Sequence, residues 1–483
     1  MGSRLMKNWL VLPLLDIAEI KERQDTVEYL IADKALFDKA TEQIARIGDL
    51  ERIISKVALK RISPKELLHL SASLKSIATV KQLCTDVECR PIETFAERLN
   101  LCHDLVELID TQIAEDAPVV ASKGGIFKMG VNEELDEYLN ISKNGKDYLL
   151  GIKEREAERT GITSLKLAFN NVFGYYLEVT HTHRDKVPED WIRKQTLVSA
   201  ERYITPELKD YEEKILSAED KISGIESTLY TALIDKLSVY ITHVQQNARE
   251  IAKLDCLCSF ARISLDNNYT KPEINDSKNL AIKDGRHPVI EQQLAIGESY
   301  IPNDIFLNQE DQQIIILTGP NMSGKSAILR QTALTVLLAQ VGCFVPARHA
   351  EVGIVDKIYT RVGASDNISQ GESTFMVEMV ETASILNNLS DRSLVILDEI
   401  GRGTSTFDGV SLAWSIAEFL SQSDEKPKTL FATHYHELNE LESANVGVVN
   451  YYVSTEEKRN KVIFLRKMKK GGSEHSFGIH VAR

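Results

Sequence analysis

The sequence predicts a multidomain protein: an all-α part with long helices, a small mainly-β segment inserted in it, and an α/β domain that follows. Three observations support this prediction. Apolar residues recur at helical spacing over the first 120 residues and over 206–263, the segment 165–179 alternates and is rich in aromatic residues, and continuous apolar runs follow residue 266. The length of 483 residues fits about three domains.

The first 120 residues are predicted to form helices with short connections, because residues such as Ile44, Ile47 and Leu50 recur every three or four positions. The pattern breaks at 123–125 (KGG), as expected of a loop, and changes again after Gly151.

The inserted segment is predicted to be a small β structure, and a long helical segment follows it. An alternating stretch at 165–169, a turn at 170–174 and an aromatic-rich stretch at 175–179 predict two short strands around a turn. From 206 to 263, apolar spacings of three, four and seven describe a seam along long helices. One helix of about 55 residues would reach roughly 80 Å and form an arm. Two or three ordinary packed helices are the alternative, and both interpretations stay open.

Composition limits the class of protein. A net charge of -14 argues against a chain that is basic all over its surface. It does not exclude DNA binding, because the field that matters is local, and 151–210 is neutral, with ten basic and ten acidic residues. The sequence has no apolar run of about 18 residues and no secretory signal. The six cysteines are scattered, without C-x-x-C spacing, which predicts reduced thiols. We therefore expect a cytoplasmic protein with no membrane partner.

The most informative motif lies in the α/β part. The runs 313–317 (QIIIL) and 394–397 (LVIL) predict buried parallel strands. The first run leads into 319–326 (GPNMSGKS), which matches G-x-x-x-x-G-K-[ST] and precedes a helical pattern. Its glycines allow the backbone to wrap around phosphates, Lys325 is expected to reach the β- and γ-phosphates, and Ser326 to bind Mg²⁺.

The second apolar run ends in two acids. Asp398 is expected to hold Mg²⁺ directly or through water, and Glu399 to polarise the attacking water. The added glutamate favours an ATPase over a small-molecule kinase. ATP and Mg²⁺ are thus the predicted substrate and metal.

Four segments resemble those of the MutS family of DNA mismatch repair proteins. They are 318–326 (TGPNMSGKS), 371–379 (GESTFMVEM), 398–406 (DEIGRGTST) and 431–438 (FATHYHEL). Similar segments at 48–52, 202–208 and 285–288 extend the resemblance over nearly the whole chain. Ser323 stands where the family usually has glycine.

The resemblance implies an ABC-type ATPase domain over 271–483, in which two subunits of a homodimer sandwich the nucleotide. Ser373 would reach the γ-phosphate bound by the partner subunit, and His434 would sense the γ-phosphate. Asp366 would occupy the Q-loop position, and Tyr300 would stack on adenine. The implied catalytic residues are Glu399, Lys325 and His434. The implied nucleotide-binding residues are Gly319, Pro320, Asn321, Met322, Ser323, Gly324, Lys325, Ser326, Asp366, Ser373, Asp398 and Tyr300.

The resemblance also assigns the preceding parts. It implies core and lever helices over 1–145 and 209–270, with a clamp over 146–208 that contacts the backbone of double-stranded DNA. The candidate contacts are Lys166, Arg193, Lys194, Gln195 and Thr196. A solvated basic face is the other interpretation of these residues. A MutL-type repair partner is implied as well.

The resemblance begins at the start of the lever part and stops before a helical dimerisation element. We therefore expect a fragment or a shortened gene product without the mismatch-reading domain. Two other function classes stay open: another ABC-type mechanical ATPase that acts on DNA, which would need longer coiled arms, and a scaffold with a vestigial nucleotide site.

Overall fold

A computed structural model describes residues 1–170, 174–295, 297–320, 323–363, 374–458 and 461–472. The chain forms two compact units: Met1–Glu42 with Gln82–Glu97 and Glu250–Arg483, and Gln43–Lys81 with Arg98–Arg249. The protein is rich in helix and contains several sheets, as the sequence predicts. No helix of the described part has the length and apolar character needed to cross a bilayer.

Helices dominate the first half of the chain. The α-helices are α1 (Gly2–Val11), α2 (Ile17–Ala32), α3 (Lys34–Arg46), α4 (Leu50–Ala58), α5 (Pro64–Leu83), α6 (Arg90–Arg98), α7 (His103–Gln112), α8 (Glu133–Thr160), α9 (Pro206–Leu237), α10 (Ile241–Asn267), α11 (Lys325–Gln340), α12 (Thr374–Leu386), α13 (Thr406–Gln422) and α14 (Leu441–Ala444).

The strands of the described residues form three sheets. The strands are β1 (Lys166–Asn170), β2 (Gly174–Thr180), β3 (Ile192–Thr196), β4 (Ala200–Ile204), β5 (Glu273–Asn275), β6 (Leu280–Gly285), β7 (Asn303–Leu307), β8 (Ile314–Thr318), β9 (His349–Gly353), β10 (Ile358–Val362), β11 (Leu394–Asp398), β12 (Lys428–Ala432), β13 (Val448–Lys458) and β14 (Lys461–Lys470). Their orders are β1-β2-β4-β3, β10-β11-β12-β8-β13-β14 and β5-β9-β6-β7.

The long helices between 133 and 267 correct one prediction and decide one alternative that the sequence left open. The change of pattern expected at Gly151 lies at Gly161, whose φ of 65° ends α8. A glycine inside a helix costs only about 1 kcal/mol, so packing overrides it. For 206–263 the sequence left one helix of about 55 residues and several helices open, and a 3-10 turn at Ser238–Tyr240 separates α9 from α10. There the Ser238 hydroxyl donates to the Asp235 carbonyl oxygen, a local bond that competes with helical pairing.

The first strand pair agrees with its prediction. β1 and β2 pair antiparallel with Phe169 opposite Tyr175, and residues 171–173 of the predicted turn lie outside the described residues. The predicted domain boundaries at 145 and 208 fall inside α8 and α9, so both helices run from the long-helix part into the segment that carries this sheet.

The prediction that the apolar runs 313–317 and 394–397 form buried parallel strands is confirmed as well. β8, β11 and β12 are buried along their whole length and run parallel. Alternate residues face two separate cores: Ile315 and Leu317 pack with helix α11, and Ile314 and Ile316 pack with α13. Helices cover both faces of this sheet, and its parallel strands β10, β11, β12, β8 and β13 all end on the same side.

Candidate functional site

The predicted chemistry gathers where three neighbouring strands end. β12 lies between β8 and β11, so the glycine-rich loop, His434 and the Asp398–Glu399 pair follow adjacent strands. The carboxyl ends of parallel strands meet at one edge, where ligands bind in open α/β sheets.

The glycine-rich loop needs glycine at its two ends. Gly319 has φ 147° and Gly324 has φ 100°, and Gly324 immediately precedes α11. Residues that carry a side chain rarely adopt backbone φ angles of this kind. The loop therefore delivers the N-terminus of α11, with its unpaired N–H groups, towards the sheet edge, where an anion is favoured.

Lys325 is the first residue of α11 and is 4% exposed. Its Nζ donates to the carbonyl oxygens of Gly319 at 2.6 Å and Pro320 at 3.2 Å. Burial lowers its pKa, while Glu399 and Asp398 act in the opposite direction. The ammonium thus holds the loop from within, at the place where phosphate is expected.

Asp398 fits a metal-binding role. Its Oδ1 is buried and has no hydrogen-bond partner among the described residues. An unsatisfied buried carboxylate oxygen is costly, and it is the ligand type that Mg²⁺ prefers. Ser326, in the first turn of α11, is partly exposed and can offer its hydroxyl.

Glu399 has an unusual backbone and a crowded carboxylate. Its φ is 60°, and its N–H donates to the Ala432 carbonyl oxygen at 2.9 Å. One carboxylate oxygen lies 3.9 Å from Lys325 Nζ, and the other lies 2.5 Å from Arg402. Burial raises the pKa of this carboxyl despite both cations.

His434 contacts the same carboxylate. Its Nδ1 lies 3.4 Å from a Glu399 oxygen, and its Nε2 accepts a hydrogen bond from Arg402 Nε at 2.9 Å. Burial, together with Lys325 and Arg402, lowers its pKa to about 4, so the ring is neutral at pH 7. Because Nε2 accepts, the single ring proton belongs on Nδ1, directed towards Glu399.

Arg402 lies in the segment 398–406 but has no role predicted from the sequence. Arg402 contacts both Glu399 and His434, and about half of its side chain is exposed. Its spacing of three residues from Glu399 was the available signal. The structure thus adds a cation to the predicted site.

Several other residues predicted to bind the nucleotide lie in parts of the chain that the structure does not describe. Asn321, Met322, Asp366 and Ser373 lie outside the described residues. Ser323 is fully buried, and its hydroxyl has no hydrogen-bond partner among the described residues.

Tyr300 precedes β7 and is tied to the helix that follows the loop. Its hydroxyl donates to Gln331 of α11 at 2.8 Å, and burial raises its pKa to about 12. The adenine-stacking role stays a prediction.

The five candidate DNA contacts lie on the small sheet of the second unit, but not together. Lys166 is on the edge strand β1, whereas Arg193, Lys194, Gln195 and Thr196 are on the opposite edge strand β3. Two strands separate the edges, a distance of roughly 14 Å at 4.8 Å per strand.

A polar row joins the two edges on one face of this sheet. In register, Lys166 lies opposite Glu178, Glu178 opposite Arg202, and Arg202 opposite Gln195. Arg202 pairs with Glu178 at 3.2 Å and donates to the Gln195 side-chain oxygen at 2.8 Å.

The remaining candidate residues differ in whether their side chains already have a partner within the protein. Arg193 lies 3.4 Å from the buried Glu201, so part of its charge is already compensated. Lys166, Lys194 and Thr196 are exposed.

A buried strand, a glycine-rich loop and a helix thus lie beside a parallel strand that leads into two acids. The comparisons with known proteins identify the family. Residues 1–261 match the family model MutS domain III, and residues 315–483 match MutS domain V.

The chain belongs to the MutS family, as its motifs predict. It is 59% identical to the DNA mismatch repair protein MutS of Bacteroides thetaiotaomicron and to those of Flavobacterium johnsoniae and Cytophaga hutchinsonii. In each comparison the whole chain is covered, and it spans 56% of the relative's length.

Proposed function

We propose that this chain is an ATP hydrolase that couples its nucleotide state to holding double-stranded DNA in mismatch repair. The observation that carries the proposal is the convergence of Lys325, Asp398, Glu399 and His434 at adjacent strand ends. Membership of the MutS family supports it. It also disfavours another DNA-acting ABC-type ATPase, since the matched models are MutS domains.

In the proposed reaction each residue of the site has one task. Lys325 leaves the loop carbonyls and binds the β- and γ-phosphates, a stronger charge-assisted interaction. Ser326 and Asp398 would hold Mg²⁺, which supplies neutralisation of phosphate charge. Glu399 accepts the proton of the attacking water, and its raised pKa favours that role. His434, neutral and adjacent, responds to the γ-phosphate.

The proposal keeps the wider division of the chain. It assigns 1–145 and 209–270 to core and lever helices, 146–208 to the clamp and 271–483 to an ABC-type ATPase domain. Two copies would form the composite site, and Ser373, Asp366 and Tyr300 would contribute to it. A cytoplasmic location and a MutL-type partner belong to the same proposal.

Turnover should depend on both chain concentration and DNA. We expect phosphate release per chain to rise with protein concentration, because each site needs a second subunit, and to change when duplex DNA is added. The measurement is steady-state ATPase activity of the whole chain across concentration, with and without duplex. A rate per chain that is constant across the range would contradict the dimeric site. Absence of turnover at every concentration would remove the enzymatic function.

The exposed lysines on the two sheet edges should contribute separately to DNA affinity. The variants Lys166→Ala and Lys194→Ala are each expected to reduce the log–log salt slope of duplex binding by about 0.9, since each removes one phosphate contact. The measurement is fluorescence anisotropy of labelled duplex over a salt series.

Lys236→Ala provides a matched control for the two edge variants. Lys236 is an exposed lysine roughly 45 Å along α9 from its start, and the variant should leave the slope unchanged. Equal slopes in all three variants and the parent would exclude this sheet as the DNA-facing surface.

A further inference from the structure

The loop that follows Glu399 is held from helix α12. Glu378, one turn into α12, is 5% exposed, and its Oε1 accepts a hydrogen bond from the Gly401 N–H at 2.6 Å. A hydrogen bond from a backbone N–H to a carboxylate is among the stronger ones in proteins. The position of Gly401, two residues after Glu399, is therefore tied to α12.

The peptide groups around Gly401 are constrained from a second side. The Tyr435 hydroxyl donates to the Gly401 carbonyl oxygen at 3.1 Å, and Tyr435 directly follows His434. Gly401 has φ 89°, and a Cβ there would lie 2.7 Å from the Gly409 carbonyl oxygen. The loop thus has little room to shift as long as both hydrogen bonds are intact.

Glu378 is itself compensated inside the protein. Arg361, at the end of β10, is 7% exposed, and its guanidinium lies 4.0 Å from Glu378 Oε2. Arg361 also pairs with the half-exposed Glu381 at 3.2 Å and donates to the Gly363 carbonyl oxygen at 2.5 Å. A buried carboxylate needs such a cation. The pair therefore anchors one side of the loop to the sheet.

Placement of this loop determines where the Glu399 carboxylate points. Glu399 has a left-handed backbone, which is stable only where its surroundings hold it. If the Gly401 hydrogen bond is lost, the chain can relax towards ordinary angles and turn the carboxylate. Displacement of a catalytic group by about 1 Å can lower a rate roughly a hundredfold.

We propose that Glu378 is a positioning residue for hydrolysis: through the Gly401 amide it holds the 399–403 loop and thereby sets the direction of Glu399. This inference rests on the proposed function. It assigns a task to a residue that lies outside the predicted catalytic and nucleotide-binding set.

The kinetic test compares two substitutions at one position. Glu378→Ala should lower kcat about 30- to 100-fold with KM and nucleotide affinity nearly unchanged. Glu378→Gln keeps an oxygen that can accept the Gly401 N–H and should recover most of the rate. Glu381→Ala, which removes the other carboxylate on Arg361, should behave as the parent. In a Glu399→Gln background, Glu378→Ala should cause no further loss, because it acts through Glu399.

A second measurement does not depend on turnover. Hydrogen exchange of the peptide that contains Gly401 should become about ten- to a hundredfold faster in Glu378→Ala, and remain slow in Glu378→Gln and Glu381→Ala. If the parent chain does not hydrolyse ATP, the proposed function is wrong. The hydrogen-exchange rates alone then decide whether Glu378 holds the loop. Unchanged kcat in Glu378→Ala, losses that add to those of Glu399→Gln, or unchanged exchange overturns the inference.

Discussion

Replacing Glu399 with glutamine should slow ATP hydrolysis about a thousandfold while ATP still binds with nearly the parent's affinity. Glutamine has the size of glutamate, but its amide cannot take a proton from water. The phosphate-binding loop and Lys325 are unchanged, so nucleotide binding should persist. Phosphate release and equilibrium nucleotide binding, measured on the same preparation, separate the two effects.

The pH dependence sharpens this prediction. Burial raises the pKa of the Glu399 carboxyl, so it takes up a proton at a higher pH than an exposed glutamate does. Hydrolysis needs the ionised form and should therefore fall as pH drops through that raised value. The residual hydrolysis of the glutamine variant should not show this decrease at low pH. Glu440→Gln, an exposed glutamate, is the control. Full turnover in Glu399→Gln would remove Glu399 from the mechanism.

The second large effect is expected at Lys325. Lys325→Met should weaken ATP binding by about 10- to 100-fold, because it removes charge-assisted hydrogen bonds to phosphate. Methionine is suited to this position, since the lysine is 4% exposed and its stem is already packed. Isothermal titration with ATP in the presence of Mg²⁺ is the measurement.

Unfolding of this variant without nucleotide separates loss of binding from misfolding. Burial lowers the pKa of Lys325, but the ammonium also donates to two loop carbonyls and lies 3.9 Å from a Glu399 oxygen. The free energy of unfolding should therefore fall by about 1 to 3 kcal/mol while the chain stays folded. Lys357→Met serves as the control. Lys357 lies just before β10 and therefore at the amino ends of the parallel strands, whereas Lys325 lies at their carboxyl ends. Unchanged ATP affinity in Lys325→Met would contradict the phosphate-binding loop.

Features that depend on neighbouring residues could be predicted from the sequence. The strand, the glycine-rich loop and the helix at Lys325 follow from a local pattern, because positive φ at Gly319 and Gly324 requires glycine. The buried strand that ends at Asp398 follows from four apolar residues in a row. Both depend on interactions within a few positions along the chain.

Features that depend on distant pairing could not be predicted. β12 lies between β8 and β11, and only this order brings His434 beside Glu399. Arg402 contacts both side chains only once that order is fixed. Likewise, spacing alone could not show that Lys166 and Lys194 occupy opposite edges of one sheet.

The interruption between α9 and α10 illustrates a third limit. The apolar seam continues past 238, so periodicity alone favours one helix there as readily as two. At the junction the Ser238 hydroxyl donates to the Asp235 carbonyl oxygen, and Val239 and Ile241 are weak helix formers. Such small local preferences are decided by packing, which the sequence pattern does not show.

The left-handed backbone at Glu399 places stability and activity in opposition at a single position. A non-glycine residue with φ 60° destabilises the folded chain by about 1 kcal/mol, which glycine would recover. Selection for robustness alone would thus favour loss of the carboxylate. Selection of variants for thermal tolerance can therefore enrich substitutions at Glu399 that leave the protein folded but unable to hydrolyse ATP.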